Sequence, residues 1–211
     1  MFFSYSKSEE IKAIQKGILQ FFIQCIFATV AYLVVRTDIV TLHNGLSEHS
    51  LTEYYQQLLL LIVILSFSYI ATTNSEVRSF SILIIGFFTC MLIRECDGLF
   101  DEVYHGFWLI PALFTVAISF YVALKDKKKL LTTSSRFFDS RYFYTLSCAL
   151  VIILVFSRLV GMKYLWEVLL EGNYIRTVKN LAEEGVELLG YSLLAYSALG
   201  FGIEVHKLKT H

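Results

Sequence analysis

The chain has a single proline among its 211 residues, no paired cysteine motif and few charges. Pro111 is the only residue able to impose a proline kink, so helices broken near mid-membrane, the usual pointer to a transporter site, are not indicated. Of the four cysteines, Cys25, Cys90 and Cys148 fall inside apolar runs and Cys96 stands apart. With no CxxC pair, a disulfide framework is excluded. The five histidines include none deep in an apolar run, which excludes a bis-His haem. The absence of an N-x-S/T sequon favours a bacterial setting over a secretory-pathway one. There is no phosphate-cradling glycine loop, and no basic surface with interleaved aromatics, so nucleic-acid binding is not supported.

Charged residues make up 17% of the chain, whereas soluble domains carry about 25%. Hydrophobic residues make up 56%, and they occur in runs close to the ~20 residues that cross a bilayer. Six spans are expected, at 17–35, 54–73, 80–100, 106–124, 142–160 and 186–205. The first continues past the length of a secretory h-region and comes after Glu9 and Glu10, so it is expected to be a retained anchor. The fold class is thus an all-α integral membrane protein, a six-transmembrane-helix bundle in one polytopic domain.

Charge then orients the bundle. Counting loops alternately, one side carries twelve Lys/Arg against six Asp/Glu, and the other carries the reverse. By the positive-inside rule both termini are cytoplasmic, as an even span count also requires. The basic run from Lys125 to Lys129 reads as a topology determinant within a loop spanning Lys125–Arg141. Between spans five and six, charge alternates with Leu165, Leu169, Ile175, Val178 and Leu181. That pattern predicts two short amphipathic helices on the outer leaflet, broken at Gly172-Asn173.

Candidate functional residues gather at the acidic outer side. The third span is uninterrupted for only 14 residues, Phe80–Ile93, about 21 Å of helix. Arg94, Glu95 and Asp97 come next, then Asp101, Glu102 and His105. In a continuous helix Asp97, Asp101 and His105 would share one face. Glu183, Glu184, Glu187 and Tyr191 open the sixth span, and Arg158 lies two residues from the outer end of the fifth. Glu53, Gln56 and Gln57 join this level, with His43 and His49 nearby. Intramembrane charges are expensive and face a bundle interior or a cavity. Arg94 and Arg158 need carboxylate partners, for which Glu95, Asp97 and Glu187 are nearest in depth. Acids outnumber these arginines, and the surplus calls for protons, a metal or a cationic ligand.

Three readings compete for this cluster. In the leading, non-enzymatic one, a cavity formed by Arg94, Glu95, Asp97, Asp101, His105, Arg158, Glu183, Glu184, Glu187 and Tyr191 binds a cation, proton or small polar ligand. That binding would be coupled to transport or signalling in an inner or plasma membrane. In the second, Asp97, Asp101, His105 and Glu187 ligate a divalent metal that hydrolyses lipid-like substrates; His43, His49 and His105 form a further three-His possibility. In the third, the chain is a non-catalytic subunit of a membrane complex, and the charges are a structural ion-pair network. Ala195, Ala198 and Gly202 share a face of span six suited to close helix contact, within the bundle or with a homo-oligomeric or other membrane partner. The plan is loosely similar to that of the alkaline ceramidase-like membrane hydrolases. Their several deep histidines have no counterpart here, so no function is carried over.

Overall fold

The computed structural model describes residues 7–43, 46 and 49–209. Among them there are no strands. Helix α1 (Lys7–Thr37) runs into a π-helical turn, Asp38–Leu42. Next come α2 (Leu51–Thr73), α3 (Arg78–Glu95), the short α4 (Asp97–Asp101) and α5 (Leu109–Ala123). A 3-10 turn, Leu124–Asp126, leads into α6 (Lys127–Phe138). Helix α7 (Arg141–Val151) continues through a second π-helical turn, Ile152–Phe156, into α8 (Ser157–Val160). Finally α9 (Lys163–Leu169) precedes the long α10 (Arg176–Lys209).

Five helical stretches, Lys7–Leu42, Leu51–Thr73, Leu109–Phe138, Arg141–Val160 and Arg176–Lys207, are long and apolar enough to cross a membrane. Helix α3, at the position of the third expected span, has 18 residues with Arg78, Arg94 and Glu95 at its ends. Neighbouring helices pack in the order α5, α3, α2, α10, α7, and α1 leans mainly on α10. Helix α10 is the central element: 56% of its most apolar stretch is buried by the rest of the chain, against 11% for α1.

The small residues of α10 explain that position. Ala195 and Ala198 are fully buried, so the close contact they allow is made inside the bundle. Gly200 lies where any Cβ would run into the Tyr142 ring of α7, and Gly190 where it would meet Ile153 of the π-helical turn. Toward the basic end, Phe137 is buried among Phe201, Phe80 and Phe143, at ring-centroid separations of 4.8, 4.9 and 5.7 Å. Phe67 completes this cluster at 6.2 Å.

Several expected boundaries are corrected. The third expected span does not reach residue 100. It ends at Glu95, where the chain breaks at Cys96 before the single turn of α4. The segment Lys125–Arg141 is helical over Lys127–Phe138, not a loop: Asp126 caps α6 by accepting from the Lys129 N–H at 3.1 Å, and Thr133 and Phe137 are buried one turn apart. The break at Gly172 holds, with φ of 86° there and 45° at Glu171. The second amphipathic stretch, however, is not a separate helix, because it forms the first turns of α10. The expected loop 36–53 is shortened by the π-helical turn after α1. There Asp38, fully buried, accepts from the backbone N–H groups of Leu51 and Thr52 at 2.9 and 2.6 Å and from the Thr52 hydroxyl at 2.5 Å. It thereby caps α2 together with Ser50.

Candidate functional site

Four elements meet at the acidic end: the first turns of α2, the end of α3, the π-helical turn with α8, and the N-terminal half of α10. A π-helical turn puts one extra residue into the ladder and re-aims the side chains beyond it. Here it brings the fully buried Ser157 Oγ to 2.9 Å from Glu187 Oε1 while it also lies 2.6 Å from the Ile153 carbonyl. One hydroxyl proton serves two acceptors. The next residue, Arg158, reaches Glu187 Oε1 at 2.6 Å and Glu183 Oε1 at 3.3 Å. Lys179, one turn before Glu183 on α10, holds the other oxygen of that carboxylate at 2.5 Å.

The remaining acids of the cluster have neutral partners. Glu95 Oε1 accepts from the phenol of the buried Tyr191 at 2.6 Å. Glu184 Oε2 accepts from the amide of Gln56 at 3.1 Å. Neither makes an ion pair among the described residues. Gln56 is fully buried, and its carbonyl oxygen has no hydrogen-bond partner. Gln57 donates to the Glu95 backbone carbonyl at 3.2 Å, tying α2 to the end of α3. The ion pairs of the four acids Glu95, Glu183, Glu184 and Glu187 thus engage two cations, Arg158 and Lys179, while Arg94 flanks Glu95 without an ion pair to it.

Two openings lead to Glu95. One is a cleft of about 130 Å³ at the acidic end, lined by His49, Glu53, Gln57, Glu95 and Glu102 among others. The other is a groove of about 220 Å³ on the side of the bundle between α3 and the π-helical turn, where Arg94 and Arg158 flank Glu95.

The expected site residues divide into separate groups. Glu95, Arg158, Glu183, Glu184, Glu187 and Tyr191 come together. Arg94 does not join their ion-pair network: it pairs with Asp97 and lies over the Trp108 ring, 5.5 Å from its centroid. Asp101 and His105 form a loop of their own outside the helical spans. Asp101 accepts from the Gly106 N–H and contacts His105 Nδ1, both at 2.9 Å, and the left-handed Gly106 (φ 85°) closes the turn. The Gly106 N–H, and then the His105 contact, hold the Asp101 carboxyl below the usual range. A continuous helical face holding Asp97, Asp101 and His105 is therefore not formed, because α4 ends at Asp101 and His105 lies beyond it in a turn. Asp97, Asp101, His105 and Glu187 lie in three different networks. Among the described residues no three His, Cys, Asp or Glu side chains are grouped to hold a metal ion, and this includes His43, His49 and His105.

Lys179, paired with Glu183, and Asp38, which caps α2, are the side chains that sequence reasoning passed over. The i, i+4 spacing of Lys179, Glu183 and Glu187 carried the signal for the first. Asp38 had none, since its partners lie 13 and 14 residues away.

Fold and site define an all-helical bundle of apolar, membrane-crossing length with a half-buried acidic cluster at one end. Comparison with known protein families, curated proteins and solved structures found no match.

Proposed function

We propose that this chain is a six-span integral membrane protein of a bacterial inner membrane, with both termini cytoplasmic. Its outer-face cluster takes up protons or a small cation, coupled to transport or signalling. In this reading α3 is the third of the six spans, and its short apolar stretch puts Glu95 just inside the outer boundary.

One observation carries the proposal: the buried cluster has more acceptors than donors. Glu95 and Glu184 hold only neutral donors, and beside Glu184 the carbonyl of Gln56 is unpaired. A buried acceptor without a donor costs on the order of 1–3 kcal/mol, so an occupant that supplies donors is favoured. A proton does so, and a small cation satisfies the same oxygens by coordination; an anion does neither. Glu95 is the acid that both openings reach, which makes it the entry point.

The Arg158–Glu187–Glu183–Lys179 chain favours a second reading, a structural ion-pair network in a non-catalytic subunit. The hydrolase alternative draws least support, since its four ligand residues are dispersed.

Potentiometric titration of the purified protein separates the first two readings. Exposed carboxyls are half-titrated near pH 4. The expected result is proton uptake above the range of exposed carboxyls, beyond the share of the histidines, that is diminished in Glu95→Gln and Glu184→Gln. Uptake accounted for by histidines alone, and unchanged in both variants, sinks the proton reading.

A further inference from the structure

The groove on the side of the bundle is a mixed site. Phe87, Met91 and Leu154 give it an apolar wall, and Arg94, Arg158 and Glu95 give it both signs of charge. It opens because α3 packs on α2 and α5 while the fifth-span helices pack on α10. The side chains of Arg94 and Arg158 are about half exposed. A guanidinium has five N–H donors. Arg94 spends one on Asp97, and Arg158 spends two on Glu183 and Glu187, so donors are left over. Glu95 spends one oxygen on Tyr191 and keeps acceptor capacity.

The geometry points to a binding site for a phospholipid with a zwitterionic, primary-ammonium headgroup. An anionic headgroup would meet the spare guanidinium donors but also the Glu95 carboxylate, and a cationic amphiphile would face two arginines. A phosphate beside a primary ammonium answers both. The phosphate takes N–H groups of Arg94 and Arg158, the ammonium donates to Glu95, and an acyl chain lies along Phe87, Met91 and Leu154. Commitment to a primary ammonium rests on Glu95, because a quaternary ammonium has no N–H to donate. This goes beyond the proton or cation reading and does not rest on it: the lipid needs only the carboxylate form of Glu95, and a proton taken up there competes with the ammonium.

The test is lipid retention by the full chain in nanodiscs of equimolar phosphatidylethanolamine, phosphatidylcholine and phosphatidylglycerol, released into native mass spectrometry. Phosphatidylethanolamine should be retained about tenfold over phosphatidylcholine, the worth of one charge-assisted hydrogen bond. Arg94→Leu should lower retention of all three lipids. Glu95→Gln should bring phosphatidylethanolamine down to the phosphatidylcholine level while leaving phosphatidylglycerol unchanged. A second series covers the case in which Glu95→Gln does not fold: on the natural chain, N-methylated phosphatidylethanolamines should bind progressively less as each N–H is lost. Equal retention of the three lipids, preference for phosphatidylglycerol, or a flat methylation series overturns the assignment.

Discussion

Replacing Arg158 with leucine removes the cation between Glu183 and Glu187, and replacing Glu184 with glutamine removes one acid from the same cluster. The acceptor surplus makes the two changes unequal. Glu187 is 3% exposed and loses a 2.6 Å ion pair when Arg158 goes. Breaking a fully buried pair costs about 3–5 kcal/mol, but exposed pairs are worth at most about 1 kcal/mol. Because the Arg158 side chain is 54% exposed, water already shares its charge, and a loss of about 2 kcal/mol is the consistent figure. Glu184→Gln is different. The new amide oxygen still accepts from Gln56, while a carboxylate with no cationic partner is gone. Its effect should lie within about 1 kcal/mol of zero, on the stabilising side. Reversible unfolding in SDS–bicelle mixtures at neutral pH, followed by circular dichroism, measures both. Equal destabilisation by the two variants would refute the surplus and leave a balanced ion-pair network.

Phe137→Ala should destabilise the bundle by about 3 kcal/mol in the same assay, since it empties the centre of the aromatic cluster; a change under about 1 kcal/mol would return Lys125–Arg141 to a surface loop. Gly190→Ala should be destabilising by about 1–3 kcal/mol because its methyl meets Ile153 beneath the π-helical turn, and a neutral result would dissolve that contact. Asp101 has a folded pKa below its unfolded value, so the stabilisation it brings is present above about pH 4 and is lost as pH falls through the folded value. Hydrogen exchange at the Gly106 amide should therefore accelerate beyond the intrinsic pH trend in strong acid, and Asp101→Asn should show weaker protection at neutral pH. For orientation, a cysteine at Asn173 should label from outside intact cells and one at Ser135 only after permeabilisation; the reverse pattern inverts the proposed topology. Ser47 and Glu48, between α1 and α2, lie outside the described residues.

The sequence made the apolar elements legible and left their ends obscure, for a physical reason. Hydropathy marks where lipid can surround a helix, whereas a helix continues wherever its backbone bonds and packing allow. Arg176 to Gly185 is too polar to register as a span, yet Lys179, Glu183 and Glu187 succeed one another at i, i+4 and carry α10 through without a break. In the same way the lysines of 125–129 masked an amphipathic helix. Its sign was an Asp126 cap, then Leu130, Thr133 and Phe137 at helical spacing. The π-helical turns had no sign at all, because a one-residue insertion in a ladder leaves an apolar run unchanged.

At the candidate site, composition foretold an acid surplus but misplaced it. Depth was inferred from position along a span, so Asp97, Asp101 and His105 counted equally with Glu95 and Glu187. With α3 ending at Glu95 and α4 at Asp101, those three are held locally: Asp97 pairs with Arg94, and Asp101 accepts from the Gly106 N–H and contacts His105. Neither carboxyl joins the ion pairs of the buried cluster. The deficit of donors passes to Glu95 and Glu184, whose partners are a phenol and an amide contributed by other helices. Such partners come from residues 96 and 128 positions away, which no local spacing records. The surplus is therefore a property of how α2, α3 and α10 meet. Substitutions at that meeting, Gln56→Leu and Tyr191→Phe, should alter proton or cation uptake as strongly as changes to the acids themselves, whereas Asp97→Asn and His105→Ala should leave it unmoved.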